Sequence, residues 1–399
     1  MKTFNLLLTY FLTQLYPVAP LKYVVVSSDP ENDYNFSEGT SLSEVLIVAK
    51  RQDEHSPDEE TVFINLLRKP RTALEAIALA EEVMRRRYGY VPLGENMATA
   101  YVTRVKRGDL LNYILNWNIL VYEGLFKYLD SMIKRNEVEI GGITVRAPLS
   151  RFNDLIADMG VNRGGDVIEA FNLTVRGNRV ACNIYRNRPN VPYIPMICGG
   201  GEEVANKMLI QPNAYVPDMD NSKAKRIKSL RTRFFLPNRI RWNTFHTIAL
   251  RSTEPAISNV YFMVRMNLTE EQEKALALWL NSFWGILTVF AFMEITEEAY
   301  TRLNIAQWKI LPVRDIKGLD EGTVKCLANT FDKYANTDFG RLTEQFGRET
   351  RMEMDIDVIK CLSTTPISAD KEGTLRSELK ELYAQFSAAL RQLSRHNSQ

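Results

Sequence analysis

The sequence predicts a chain of mixed fold class, α/β at the front and α+β behind, and three observations carry that expectation. Short, continuous apolar runs ended by turn residues fill the front of the chain, as in strands buried on both faces of a parallel or mixed sheet. From Ile143 to about Met266 the texture changes to short alternating runs separated by Gly, Pro and Asn. From 318 to 399, charged residues alternate with leucines and alanines at helical spacing. The length of 399 residues, 45% hydrophobic and 25% charged, is ordinary globular composition with room for two or three domains.

Taken in order, the first 20 residues hold an interrupted apolar run. Leu6, Leu7, Tyr10, Phe11 and Leu15 share one face of a helix, so a core helix is expected there rather than a secretory signal. KYVVVSSDP (Lys22–Pro30), SEVLIVAKR (Ser43–Arg51) and ETVFINLLRKP (Glu60–Pro70) read as three buried strands. Thr72 and Glu75 suggest a capping box for a helix with an apolar stripe of Leu74, Ile77, Ala78 and Val83, closed by Gly89. Residues 1–90 therefore read as one piece of α/β sheet, and 91–142 as a largely helical connector. Residues 143–315 form a second domain, β-rich to about Met266 and followed by a helix over 268–289. That helix opens on the capping box Thr269–Gln272 and is apolar almost all round, so it is expected to be buried. Residues 316–399 form a helical tail. Four scattered cysteines (Cys182, Cys198, Cys326, Cys361) without a CxxC pair predict reduced, buried thiols in a cytosolic, cytoplasmic protein. Three scattered histidines offer no pattern for a metal centre.

Familiar catalytic motifs are missing from the sequence: there is no GxxxxGK[ST], HExxH or GxSxG. Gly199-Gly200-Gly201, followed by a possible helix, is read as a turn rather than a phosphate cradle, and so is NRGGDV (Asn162–Val167). Glu202–Glu203 and Glu297–Glu298 are read as solvated helix starts. The sharpest feature is basic. Between Asn221 and Arg251, 31 residues carry nine Lys/Arg and no acid, in a chain whose net charge is only +2. Lys223, Lys225, Arg226, Lys228, Arg231 and Arg233 precede Pro237. Arg239, Arg241 and Arg251 follow it, on what reads as one alternating strand that also carries Asn243. Phosphate binding needs uncompensated positive charge, and such a segment offers guanidinium and amide groups to phosphates and base edges. The plain alternative is a solvated basic face. Trp308 and Lys309, in TRLNIAQWKILPVRD, are either a second polar–aromatic contact or loop packing.

The order of segments resembles the C-terminal half of the large N6-adenine DNA methyltransferases of restriction-modification and phage-defence systems. The resemblance rests on VVVSSDPENDYNFSEGTSLSEVLIVAKR, FINLLRKPRTALEAIALAEEV, RFFLPNRIRWNTFHTIALRSTEPAISNVYFMVRM and, most specifically, ALALWLNS followed by LPV-D. It covers most of residues 22–365. It implies that residues 1–90 are the closing strands of an incomplete Rossmann-like sheet and that 143–315 are a DNA target-recognition domain. The glycine-rich loop for S-adenosylmethionine, its acidic partner and the Asn-Pro-Pro-aromatic tetrapeptide of that family have no match in this sequence. No catalytic or cofactor-binding residue is therefore assigned. The expected partners are double-stranded DNA and a second chain, or further N-terminal half, that carries S-adenosylmethionine and the methyltransferase motifs. A non-catalytic scaffold of a defence complex, docking an acidic partner on the basic run, is the alternative.

Overall fold

The computed structural model describes residues 21–27, 46–50, 58–86, 89–95, 97–106, 122–161, 164–176, 179–182, 184–199, 204–295 and 300–394. The expected helix over the first 20 residues lies outside them. The chain is a mixed α/β protein that divides into two compact units. One holds Met1–Tyr128, Phe290–Thr301 and Ala388–Gln399, and the other Leu129–Val289 and Arg302–Ser387. The division falls at positions other than 90, 142 and 315.

In the first unit, β1 (Leu21–Ser27), β2 (Leu46–Ala49), β3 (Glu60–Arg68), β4 (Gly89–Pro92) and β5 (Thr99–Lys106) form one sheet in the order β2-β1-β3-β5-β4. Strand residues 91–92 and 99–106, read as the start of the connector, thus belong to the sheet. Only β1 and β3 run parallel; the other pairs are antiparallel. Helix α1 (Ala73–Arg85) starts as the sequence indicated, with the Thr72 hydroxyl accepting from the Glu75 N–H at 3.2 Å. The box does not close. The Glu75 carboxylate instead accepts from the Arg71 and Ala98 N–H groups, which holds its pKa low. The expected apolar stripe is also shifted. Leu79 and Val83 pack on Val62, Leu66, Ala100 and Val102, while Leu74 and Ile77 face solvent. β2 is an edge strand with Leu46 and Val48 exposed, not a strand buried on both faces.

The second unit is built on a larger, mostly antiparallel sheet. Its strands are β9 (Ile156–Val161), β12 (Tyr193–Ile197), β13 (Leu209–Ile210), β14 (Ala214–Pro217), β15 (Thr232–Pro237), β17 (Leu250–Ser258) and β18 (Tyr261–Met266), in the order β14-β12-β17-β15-β18-β9, with β13 joining β17. The hairpins β6 (Glu137–Ile140)–β7 (Ile143–Arg146) and β10 (Thr174–Arg176)–β11 (Arg179–Cys182) stand apart from it, and β8 (Leu149–Arg151) pairs with Pro312–Arg314. β6 and β7 turn through Gly141 and Gly142, with φ of 57° and 68°. Two left-handed residues give the two-residue loop whose twist matches an antiparallel pair.

The apolar segment after Thr269 is not one helix. It forms α4 (Glu270–Asn281) and α5 (Phe283–Phe292), bent by 68° at Ser282, with α2 (Gly164–Ala170) and α3 (Ser222–Ser229) preceding them in the chain. The Thr269–Gln272 capping box closes on both sides, at 3.3 and 3.0 Å. Among the described residues no single helix is long and apolar enough to cross a membrane; α4 and α5 pass only as this bent pair and are largely buried. The bend puts Asn281 to work. Its amide oxygen accepts from the N–H groups of Ile248 and Ala249 (2.6 and 3.2 Å), and its amide nitrogen donates to the carbonyls of Ala249 and Ala277 (2.7 and 2.9 Å).

Behind this bend, α6 (Ile305–Ile310), α7 (Glu321–Tyr334), α8 (Glu349–Leu362) and α9 (Ala369–Ser394) supply the helical layer. Arg351, from α8, is fully buried and forked onto Asp355 at 2.8 and 3.2 Å. It also donates to the Asn281 carbonyl and to Gln345, both at 2.7 Å. Cys326 and Cys361 join α7 to α8 as a disulfide with Cα atoms 5.7 Å apart. This corrects the reading of four reduced thiols: the helices bring together two cysteines 35 residues apart in sequence. Cys198 remains a free thiol.

Candidate nucleic-acid interface

The acid-free run of sequence is not an acid-free region of space. Helix α3 is capped by Asn221, whose side chain accepts from the Ala224 N–H at 2.8 Å, and buries Ala224 and Ile227. That orientation turns its four cations outward, and each meets a carboxylate. Lys223 pairs with Glu169, Lys225 with Asp220 (3.3 Å), Arg226 with Asp166 (3.4 Å) and Lys228 with Asp218 (2.7 Å). Glu169 and Asp166 lie on α2, which follows Asn162–Arg163 and opens at Gly164 as a short helix rather than a turn. These ion pairs are mostly exposed, so they contribute little to stability, but they remove the net charge that phosphate attraction requires. Arg251, the ninth cation of the run, is buried against Glu273 (3.2 Å) and Glu270 (3.4 Å). Burial raises the pKa of the Glu273 carboxyl against the opposing pull of Arg251 and Arg233.

Four arginines remain at the surface of the run or partly so. Arg231 is exposed and donates to the Pro255 carbonyl at 3.1 Å, and Arg233 is half-buried. Both stand at the start of β15. Arg239 and Arg241 are exposed on the short strand β16 (Arg239–Arg241), just past the other end of β15. At about 3.3 Å per residue the six residues of β15 separate the two pairs by roughly 20 Å. β15 is a rigid mount: it lies between β17 and β18 with Phe234, Phe235 and Leu236 fully buried.

The expected continuous strand over 239–251 is broken. After Arg241 the chain turns, with N–H groups of Thr244 and Phe245 bonded to the Arg241 carbonyl, and it becomes extended again at Leu250. Trp242, Phe245, His246 and Ile248 are buried in this turn, and Asn243 is half-buried. Trp308 is also buried. Its indole N–H donates to the Pro237 carbonyl at 3.3 Å and its ring sits 6.1 Å from that of Phe152, so it packs the base of β15 and presents no face to a ligand. Its neighbour Lys309 is half-buried at the end of α6. Arg314 of the LPV-D segment is buried too, donating to the Pro148 carbonyl at 3.1 Å, and burial pushes its pKa down to about 10.

Gly199 follows β12 with φ of 86°, as a turn requires, and residues 204–208 form bends rather than a helix; 200–203 lie outside the described residues. The described part of this loop therefore lacks the helix N-terminus that a phosphate or cofactor cradle uses. Glu297 and Glu298 also lie outside the described residues. A feature not singled out from the sequence is the exposed stretch Tyr185–Arg188, whose signal was the interleaving of Tyr, Arg and Asn in YRNRPNVPY.

This geometry defines a mixed α/β protein whose larger, mostly antiparallel sheet carries a surface of arginines and tyrosines. No protein-family model matches the chain, and no curated protein matches it. Among solved structures it is similar to one reported as "Characterization and crystal structure of the type IIG restriction endonuclease BpuSI", at 12% identity and a TM-score of 0.46. The alignment covers 95% of this chain and 44% of that one, so the chain spans less than half of that protein's length. A likeness at this level carries no argument about activity.

Proposed function

We propose that this chain is the DNA-recognition portion of a site-specific N6-adenine DNA methyltransferase of a restriction-modification or related defence system. It holds duplex DNA through Arg231, Arg233, Arg239 and Arg241. The supporting observation is the placement of these four side chains, exposed or half-buried, at the two ends of a rigid central strand. Guanidinium groups on a fixed framework suit phosphate and base-edge contacts better than flexible lysines do. S-adenosylmethionine and the transfer step belong to a catalytic half on another chain or on further sequence, since none of this chain's residues match the motifs that hold the cofactor or the flipped base.

The test is the salt dependence of binding to a mixed-sequence duplex. Each phosphate contact contributes roughly 0.9 to the slope of log affinity against log salt. Replacing all four arginines by glutamine is expected to flatten the slope by about 3–4. The same replacement at Lys223, Lys225, Arg226 and Lys228 is expected to change it far less. An unchanged slope in the arginine variant overturns the assignment.

A further inference from the structure

We propose that Tyr185, Tyr193 and Tyr215, with Arg186 and Arg188, form a platform at the outer edge of the larger sheet that stacks the bases of an unpaired stretch of nucleic acid. The inference rests on the nucleic-acid reading above and adds to it a second contact surface with a different chemistry.

The backbone builds the platform. Tyr185 and Tyr215 exchange two hydrogen bonds of 2.9 Å each, so Tyr185 is bridged to the outer edge of the sheet at β14. Residues directly opposite in such a pair project from the same face. Tyr215 is in turn opposite Pro195 on β12, and Tyr193 lies two residues before Pro195. The period of two along a strand puts all three tyrosines on one face. The Tyr193 and Tyr215 rings are 5.0 Å apart and perpendicular, so together they offer both an edge and a face.

The electrostatics fit a polyanion. The Arg188 guanidinium lies 5.4 Å from the centre of the Tyr193 ring and donates to its hydroxyl. It reaches Glu254 only at 3.7 Å, with most of its side chain exposed. Arg186 is exposed and has no ion-pair partner among the described residues. Among the described residues, these two arginines therefore face one carboxylate. Tyr185 is 39% exposed, and Pro189 and Pro192 stiffen the segment that presents it. Rings mounted on a sheet beside guanidinium groups take unstacked bases, which a closed duplex does not offer.

The experiment uses the full chain and three labelled oligonucleotides at one salt concentration: a duplex, the same duplex with a central unpaired bubble, and a single strand. The bubble is expected to bind more tightly than the duplex. Tyr185→Ala is expected to weaken bubble binding roughly 5- to 100-fold and leave duplex binding unchanged, with Tyr185→Phe retaining affinity. Arg186→Gln is expected to weaken the bubble and single strand and to flatten their salt dependence. Equal binding of bubble and duplex, or equal loss on both in Tyr185→Ala, overturns the platform and leaves the duplex reading standing. Displacement of the bubble by polyglutamate as readily as by oligonucleotide marks the face as a protein-docking surface and also overturns it. No binding to any of the three overturns both readings.

Discussion

Asp355 is the residue whose removal tests the architecture beneath the arginine surface most directly. It is fully buried and accepts four hydrogen bonds: two from Arg351 (2.8 and 3.2 Å), one from the Phe283 N–H (2.9 Å) and one from the Tyr383 hydroxyl (2.5 Å). Burial, followed by the nearby carboxylate, drives the Tyr383 phenol well above its ordinary pKa, so it stays a donor. Asp355→Ala leaves the Arg351 guanidinium in the core without its counter-charge. Breaking a buried pair from one side costs about 3–5 kcal/mol. For a unit of this size that lowers Tm by roughly 10 °C. The damage should reach the arginine surface, because Arg351 also holds the carbonyl of Asn281, and Asn281 pins Ile248 and Ala249 beneath the turn that follows Arg241. The assay is thermal and urea denaturation of the wild type, Asp355→Ala and the double variant Arg351→Met/Asp355→Leu. The double variant removes both charges at similar volume and is expected to recover part of the loss, since it also leaves the Phe283 N–H, the Tyr383 hydroxyl, the Asn281 carbonyl and the Gln345 amide oxygen without these partners. A cost below about 1 kcal/mol for Asp355→Ala, or a double variant as unstable as the single one, refutes the reasoning.

Two further outcomes follow from the same unit. Breaking the Cys326–Cys361 link with dithiothreitol, or by Cys326→Ser/Cys361→Ser, is expected to cost about 4 kcal/mol from loop-closure entropy over 35 residues, read as a drop in the urea midpoint. Gly141→Ala is expected to be far more damaging than Gly142→Ala, although both residues have positive φ. A Cβ at 141 would meet the Leu375 Cα at 2.5 Å, whereas one at 142 meets nothing within 4 Å, and comparative melting separates the two.

The sequence was readable where a local rule decided the outcome. The Thr269–Gln272 box closes because its two partners are three residues apart, and Gly199 turns because its φ demands it. It was opaque where the deciding partner was distant. Which stripe of α1 faces the sheet depends on β3 and β5, so periodicity alone favoured Leu74 over Leu79. The carboxylates that neutralise Lys223 and Arg226 sit 54 and 60 residues earlier, and nothing in the basic run announces them. Trp308 and Pro237 meet across 71 residues, and the aromatic ring that resembled a surface contact became a core anchor. The arginine positions were visible because exposed charge is written locally. Which carboxylates meet the cations of α3 was not, because that is a property of the folded surface.

The pairing of β9 with β18 sets a timetable. Val161 is opposite Phe262, and Met159 is opposite Val264, so about 100 residues of chain must follow β9 before its edge is covered. At the usual pace of synthesis, on the order of 5–20 residues per second, that edge waits roughly 5–20 s on the ribosome. β8 waits longer, for Pro312–Arg314, and Asp355 does not receive its last donor until Tyr383 has been made. β9 and β8 therefore wait for partners made much later, whereas β15, β17 and β18 find one another within a short stretch of chain. Any factor that shields nascent strands will govern how much of the larger unit reaches the native state.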